Sequence, residues 1–200
     1  MDITFYFDYI SHNAYLAWCR LPEIAEKHDC SVNPIPVLFA GFLKQYGQLG
    51  PAEIEPKVDW MDRNNLRKAA LMKVPFNAPV VHPFNPLMLL RASHADMTPE
   101  ERAHLTGTLL RGIWVERLDP RDPKACSDYL DRAGFNGQTL IEYAATPVAK
   151  KRVKDATDKA IAKNVFGVPA MLVDDEVFWG YDDLPFLDRF LRGEGHIDAA

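Results

Sequence analysis

Cysteine is scarce in this sequence and is not arranged for metal or redox chemistry. The 200 residues include three cysteines, Cys19, Cys30 and Cys126, which are odd in number and far apart along the chain. Because they form no C-x-x-C pair and no zinc-ligand spacing, they support neither a disulfide scaffold nor a dithiol redox centre. We therefore expect free thiols and a reducing, cytoplasmic environment.

Several other signatures are also missing. No stretch approaches the ~20 apolar residues of a membrane helix, and Asp2 stands where a signal peptide would carry lysine or arginine. The sequence has no G-x-G-x-x-G motif, no phosphate loop and no H-E-x-x-H motif, so it indicates neither a nucleotide nor a metal. The formal net charge of -5 argues against nucleic acid or an anionic membrane as the main partner. A small neutral or anionic ligand fits this charge better.

The N-terminal residues have the pattern of a strand followed by a helix. Residues 3–7 are a run of β-branched and aromatic side chains, which predicts a buried strand. Apolar residues then recur at helical spacing over residues 13–28, with Ser11 or Asn13 as the N-cap. Pro22 is expected to kink this helix, since it cannot donate to the carbonyl four residues earlier.

A second strand is predicted over residues 32–38. Pro34 and Pro36 lack the N–H group that a central strand needs, so we expect this strand at a sheet edge. Two strands joined by a helix form a β-α-β unit, whose strands run parallel.

Glycine is outnumbered by proline, 11 to 15, and several prolines mark helix starts. Residues 39–164 contain no convincing strand pattern. Residues 98–101, Thr-Pro-Glu-Glu, are a capping box with Pro99 at the first helical position. Pro147 opens another helix in the same way, and residues 66–72 are a further helical segment. This region is therefore predicted to be all-helical.

Strand signals return near the C-terminus. Residues 170–173 and 177–179, separated by the turn 174–176, have a hairpin pattern. Residues 180–183 then lead into a last helix with apolar residues on one face.

The element order defines the predicted fold class. A β-α-β unit, a long helical segment and a β-β-α unit together predict an α/β, thioredoxin-like domain with a large all-helical insertion. We assign residues 1–38 and 165–200 to the thioredoxin-like domain and residues 39–164 to the inserted helical domain.

Several motifs, in this order and spacing, give the sequence a resemblance to one family. It resembles the 2-hydroxychromene-2-carboxylate isomerases, which together with kappa-class glutathione transferases form part of the DsbA-like branch of the thioredoxin superfamily. The motifs are Phe5-Tyr6-Phe7-Asp8-Tyr9-Ile10-Ser11, Tyr15-Leu16-Ala17, Gly167-Val168-Pro169 and Trp179-Gly180-Tyr181-Asp182. The resemblance implies a homodimer that binds glutathione as its cofactor.

Ser11 has two interpretations. A serine before a helix is most often an N-cap. The resemblance adds a catalytic role, in which the hydroxyl at position 11 donates a hydrogen bond to the glutathione sulfur. A thiolate near a helix N-terminus also gains from the helix dipole.

The two residues after Ser11 are less informative. His12 departs from the family, which usually has proline there. It is either a surface or packing residue or an aid to proton transfer, although the helix N-terminus disfavours its cationic form. Asn13 is a cap or a polar wall of the site.

The other glutathione-binding residues follow from the resemblance. It implies that Pro169 is a cis proline and that Val168 offers its backbone to the cysteinyl part of the peptide, whereas a strand starting at a trans proline is the alternative. Residues 179–182, namely Trp179, Gly180, Tyr181 and Asp182, would receive the γ-glutamyl end, with Asp182 on its ammonium group. Asp182 or Asp183 could instead simply cap the last helix.

The helical insertion is expected to supply the second substrate's pocket. The positions that the resemblance suggests are Lys44, Glu53, Ile54 and Asn85. Glu53 and Ile54 replace polar and basic residues of the family. Trp60 is either a wall of this pocket or, as is commoner for tryptophan in a helix, a core residue.

The resemblance implies a glutathione-dependent isomerase of aromatic-compound catabolism. It would interconvert 2-hydroxychromene-2-carboxylate and trans-o-hydroxybenzylidenepyruvate type compounds through transient thiolate addition. Two alternatives stay open: a kappa-like glutathione transferase or peroxidase, and a non-catalytic thioredoxin-like module that binds a thiol peptide or a protein.

Overall fold

A mixed four-stranded sheet organises the chain, which is described here over residues 2–194 of a computed structural model. The strands are β1 (Asp2–Phe7), β2 (Ser31–Pro36), β3 (Ala170–Val173) and β4 (Glu176–Trp179). Their order across the sheet is β2-β1-β3-β4, with β1 parallel to β2 and antiparallel to β3, and with β3 and β4 forming a hairpin. This arrangement confirms the predicted thioredoxin-like fold class.

The second half of strand β1, residues 5–7, is aromatic and buried because both faces of the sheet are covered there. Ile3, Phe5 and Phe7 are fully buried in the main hydrophobic core. Tyr6, which points the other way along the strand, packs in a second cluster with Val37. A strand buried on both faces has no need of alternating polar residues.

The β-α-β unit is as predicted, with small shifts at the ends. Helix α1 (His12–Lys27) contains Pro22 and continues beyond it; the predicted kink stays a prediction. Strand β2 carries Pro34 and Pro36 and lies at the edge of the sheet, as predicted. An edge strand tolerates prolines because one side of its backbone needs no hydrogen-bond donors.

Within residues 2–194, the segment between β2 and β3 contains helices and no strand, as predicted. The helices are α2 (Phe39–Tyr46), α3 (Glu55–Met72), α4 (Leu87–Ala92), α5 (Pro99–Trp114), α6 (Pro123–Arg132), α7 (Gly137–Ala144) and α8 (Pro147–Ala162), and α9 (Leu184–Leu191) follows the sheet. The capping box before α5 is present. The prediction for α3 was too short, because its first half is largely polar and exposed and lacks an apolar stripe.

The hairpin differs from its prediction at one residue. Glu176, which was assigned to the turn, pairs with Val173 inside the ladder. The turn is therefore the two residues Asp174 and Asp175, with Asp174 in the left-handed region at φ 53°, a conformation that two-residue hairpin turns require.

The insertion and the sheet share one core. The main hydrophobic cluster includes Phe5 and Leu16 as well as Leu109 and Trp114 of α5. The division into residues 1–38 plus 165–200 and residues 39–164 stays a prediction, and residues 195–200 lie outside the described residues. None of the helices in the described part of the chain combines the length and hydropathy needed to cross a membrane.

Candidate functional site at the start of helix α1

Ser11 is the N-cap of α1. Its Oγ accepts a hydrogen bond from the backbone N–H of Ala14 at 3.2 Å, and its own N–H donates to the carbonyl of Asp8 at 3.0 Å. The cap interpretation is thus confirmed. It leaves the hydroxyl hydrogen of Ser11 without an acceptor among the described residues, so the same side chain can cap the helix and donate to an anion.

A buried acid holds the loop that leads to Ser11. Asp8 is fully buried, and its carboxylate accepts hydrogen bonds from the N–H groups of Ile10 at 3.1 Å and Phe39 at 2.9 Å. Burial raises the pKa of Asp8 to about 7, although these N–H donors lower it. The sequence analysis missed this role. The signal was an acid directly after a buried apolar strand.

The Val168–Pro169 bond is cis, as predicted. Because Tyr6 pairs with Ala170, the start of β3 lies beside the C-terminal end of β1. The chain continues from this end of the sheet to Ser11. In the described structure, neither the N–H nor the carbonyl of Val168 has a hydrogen-bond partner. This leaves a short backbone edge that suits an extended peptide.

The segment after β4 folds back on the backbone around Pro169. The N–H of Gly180 donates to the carbonyl of Pro169 at 2.8 Å. Gly167 packs so closely against Trp179 that a Cβ at position 167 would lie 2.7 Å from the indole Nε1. The structure therefore brings together the two predicted motifs at residues 167–169 and 179–182.

The capping alternative holds for position only: Asp183 is the N-cap residue of α9, but its side chain makes no capping hydrogen bond there. Asp183 Oδ2 instead accepts a hydrogen bond from the N–H of Trp179 at 2.8 Å. Asp182 lies in the 3₁₀ turn Tyr181–Asp183, and its side chain is 73% exposed. It is thus free to meet a ligand on most of its surface.

Lys68 of α3 contacts this turn and was not foreseen. Its Nζ donates to Asp182 Oδ2 at 2.8 Å and to Asn13 Oδ1 at 3.4 Å, and lies 4.9 Å from the centroid of the Tyr181 ring. Ser11, and not Asn13, is the N-cap of α1, and a role for Asn13 as a polar wall of the site stays a prediction. Lys68 lies on the buried face of α3 together with Asn65 and Ala69. The sequence does not indicate which distant residues a buried lysine contacts.

His12 is buried, so the surface interpretation is wrong. Its side chain packs against Trp114 and His82, with ring centroids 5.5 Å and 5.7 Å away. Burial, followed by the charges of His82 and Lys68, lowers the pKa of His12 to about 4. The Nε2 atom has no hydrogen-bond partner in the described structure. His12 is therefore neutral near pH 7.

Within residues 2–194, no hydrogen bond or ion pair joins any two of the four residues predicted for a second substrate. Lys44 and Asn85 are exposed, and Asn85 borders a cavity of about 480 Å³ next to Arg91. Glu53 accepts a hydrogen bond from the N–H of Gly50 at 2.6 Å, so it caps its own turn, and Ile54 is 36% exposed. Among the described residues, none of these four contacts Ser11 through a hydrogen bond.

Trp60 is not a core residue. Its side chain is 55% exposed on α3, so the core interpretation of this tryptophan is wrong. Because the first half of α3 is largely exposed, a helical position there does not imply burial.

Comparison with known proteins shows the family to which the chain belongs. The profile of a protein family described as a DSBA-like thioredoxin domain matches residues 2–192. A 2-hydroxychromene-2-carboxylate isomerase of Sphingobium xenophagum is 32% identical over 94% of this chain and 97% of its own length. Glutathione S-transferase kappa 1 of Homo sapiens is 24% identical over 94% of this chain and 90% of its own length.

A solved structure extends the agreement to three dimensions. The structure of a 2-hydroxychromene-2-carboxylate isomerase superposes with a TM-score of 0.89 at 23% identity, and the match covers 97% of this chain and 96% of that one. At this identity the likeness speaks for the fold.

Proposed function

Since the chain belongs to the DSBA-like thioredoxin family and, within it, to the 2-hydroxychromene-2-carboxylate isomerases, we propose that it is a glutathione-dependent isomerase of aromatic-compound catabolism. It interconverts 2-hydroxychromene-2-carboxylate and trans-o-hydroxybenzylidenepyruvate type compounds. One structural observation carries the proposal: a helix-capping serine with an unused hydroxyl hydrogen lies at the same end of the sheet as an unpaired backbone segment before a cis proline.

The residues at this end of the sheet fit glutathione. Ser11 has a donor without an acceptor, Val168 has an unpaired backbone N–H and carbonyl, and Asp182 has an exposed carboxylate. We propose that these three hold the sulfur, the cysteinyl backbone and the γ-glutamyl ammonium group respectively. The neighbouring residues Pro169, Trp179, Gly180 and Tyr181 complete the peptide site.

Glutathione supplies, when bound, a nucleophilic thiolate whose reversible addition to a conjugated double bond permits rotation about that bond. Ser11 stabilises the negative charge at sulfur by donating a hydrogen bond, and the N-terminus of α1 adds its partial positive charge. Val168 orients the peptide by β-type pairing. By holding both reactants in one orientation, the site converts a bimolecular addition into an effectively unimolecular one.

The second substrate's residues are a separate part of the proposal. The insertion would supply this pocket, and Lys44, Glu53, Ile54 and Asn85 stay predictions for it. Next to Ser11 along the chain, His12 packs its ring against His82 and Trp114.

A paired assay tests the function. Purified protein is mixed with 2-hydroxychromene-2-carboxylate and a small amount of glutathione, and the absorbance change and the free thiol concentration are followed together. We expect many isomerisation turnovers per glutathione with no loss of thiol. Thiol loss in proportion to turnover would instead indicate a kappa-like transferase or peroxidase. Tight glutathione binding without turnover would indicate a binding module.

Assembly and location complete the proposal. We propose a homodimer, supported by the large apolar side chains that α3 exposes at Trp60, Leu66 and Leu71, and light scattering on the purified protein tests it. We propose a reducing, cytoplasmic location, supported by three free cysteines. Cell fractionation tests the location.

A further inference from the structure

Lys68 and Asp182 form an ion pair whose two members differ greatly in exposure. The side chain of Lys68 is 10% exposed and that of Asp182 is 73% exposed, and their charged atoms are 2.8 Å apart. The ammonium group is thus embedded in the protein, and the carboxylate faces outward. Such a pair is unlike the pairs Lys124–Asp128 and Lys154–Asp158, in which both partners are open to water and contribute little.

The surroundings of Lys68 leave it able to bind another anion. Burying an ammonium group is costly unless it is paired, and Asp182 and the Tyr181 ring supply the main partners. The remaining contact, to Asn13 at 3.4 Å, is longer than a usual N–H···O hydrogen bond. An ammonium group has three donors, so a ligand carboxylate can replace this long contact without removing the ion pair.

Asp182 likewise has capacity to spare. Lys68 contacts Oδ2, and no hydrogen bond of the described residues involves Oδ1. One carboxylate oxygen is therefore open to a ligand ammonium group while the other holds Lys68. The two side chains together present an anionic and a cationic group side by side, in contact with the site at the start of α1.

Resting on the proposed function, which already puts Asp182 on the ammonium group of the γ-glutamyl residue, we propose that Lys68 of the insertion binds the α-carboxylate of the same residue. These two ligand charges are attached to one carbon. Asp182 alone would attract the first and repel the second, and the lysine removes that repulsion. The insertion thereby selects for thiols that carry a free α-carboxylate at the γ-glutamyl end.

Arg20 is the competing cation near this turn. It borders a cavity of about 380 Å³ together with Tyr181 and Asp182, but its guanidinium is paired with Glu23. Lys68 is the better candidate, because it contacts Asp182 directly and also reaches Asn13, the second residue of α1.

The test compares two ligands that differ in one group. Glutathione and 4-aminobutanoyl-Cys-Gly share the thiol, the peptide and the ammonium group, and only glutathione has the α-carboxylate. Calorimetry on the wild type should give about tenfold or more tighter binding of glutathione, the size of one charged hydrogen bond. In Lys68→Met the preference should fall below about threefold, with binding of the analogue unchanged or tighter because Asp182 is released.

The matched control is Arg67→Met, which removes the same charge from the neighbouring, exposed position of α3 and should keep the wild-type preference. Lys68→Gln is a second neutral variant in case Lys68→Met does not fold, as judged by circular dichroism. If the Lys68 variants bind glutathione but keep the wild-type preference, the inference is wrong and the proposed function stands. If the wild type binds neither ligand, the proposed function fails as well.

Discussion

Asp8 and Phe39 are joined by a hydrogen bond of 2.9 Å, in which the backbone N–H at the start of α2 donates to a fully buried carboxylate at the end of β1. The same carboxylate holds Ile10 in the loop before Ser11. One buried acid thus connects the first strand, the loop of the candidate site and the first helix of the insertion.

Ionisation of Asp8 should lower the free energy of unfolding as the pH rises. Its pKa in the folded protein is about 7, above the ordinary 3.8, so the folded state keeps a proton that the unfolded state has lost. The extra stability is complete below about pH 3.8 and is lost by pH 7, at about 1.36 kcal/mol per pH unit between them. In Asp8→Asn this dependence should disappear.

Urea unfolding at pH 5, 6, 7 and 8 measures this effect. The difference between wild type and Asp8→Asn should shift in favour of the wild type as the pH falls. Asp62→Asn, at an exposed position of α3, is the control and should show no such change. Parallel curves for the wild type and Asp8→Asn would contradict the prediction.

Ser11→Ala should separate the capping role from the chemical one. Loss of the cap costs about 1 kcal/mol of stability, and loss of a hydrogen bond to a thiolate should lower isomerase activity about 10- to 100-fold. Thr146→Ala removes an equivalent cap from α8, where Oγ1 accepts from the N–H of Ala149 at 3.1 Å. It should be destabilised similarly and keep activity within about twofold. Equal activity losses in the two variants would count against a chemical role.

Gly167→Ala should weaken glutathione binding more than it weakens the fold. The new Cβ would lie 2.7 Å from Nε1 of Trp179, whose side chain is 50% exposed and can swing outward. We expect an increase of about fivefold or more in the glutathione dissociation constant, with about 1 kcal/mol or less of destabilisation.

Gly107→Ala is the matched control for that variant. Its Cβ would lie 2.9 Å from Nε1 of Trp18, which packs on Phe5 with ring centroids 5.6 Å apart. Overpacking there should cost about 1–3 kcal/mol and leave glutathione binding unchanged. Calorimetry and thermal unfolding measure both variants, and unaltered binding by Gly167→Ala would refute the proposed place of Trp179 in the site.

His12→Phe should protect the protein against mild acid. The pKa of His12 falls from 6.5 to about 4 on folding. Between these two pH values the unfolded state binds a proton at His12 and the folded state does not. This stability is present above pH 6.5 and declines by about 1.36 kcal/mol per unit as the pH falls towards 4. Phenylalanine removes the titrating group and keeps the ring packing.

Urea midpoints at pH 7.5 and pH 5 test this prediction. The loss between the two pH values should be smaller in His12→Phe than in the wild type by about 2 kcal/mol. His104→Phe, which changes an exposed histidine of α5, should behave like the wild type. An identical acid loss in wild type and His12→Phe would show that His12 does not titrate as described.

Much of the fold was predictable because its signals are local. Pro34 and Pro36 lack N–H donors and so indicate an edge strand, and the capping box before α5 marks a helix start by its own hydrogen bonds. The start of α3 was missed because its first half is polar and largely exposed, so it carries no apolar stripe to mark a helix.

The candidate site was predictable only in part. Ser11 and the segments at 167–169 and 179–182 are contiguous motifs, so resemblance can locate them. Asp8 follows a strand, His12 begins a helix and Lys68 lies within one, and none of these positions is unusual for its residue type. Their burial, and with it their altered pKa or charge pairing, exists only once distant segments cover them.

The sequence by itself determined the order of strands and helices, because the periodicity of apolar residues is a local signal. It also determined the capping role of Ser11, because that hydrogen bond joins residues only three positions apart. Only the tertiary structure decided that Lys68 meets Asp182, 114 residues away, that Asp8 is sealed from water, and that His12 is held neutral. Solvent exclusion and the pairing of charges depend on what lies around a side chain in space. The chain around a residue in sequence does not specify these neighbours.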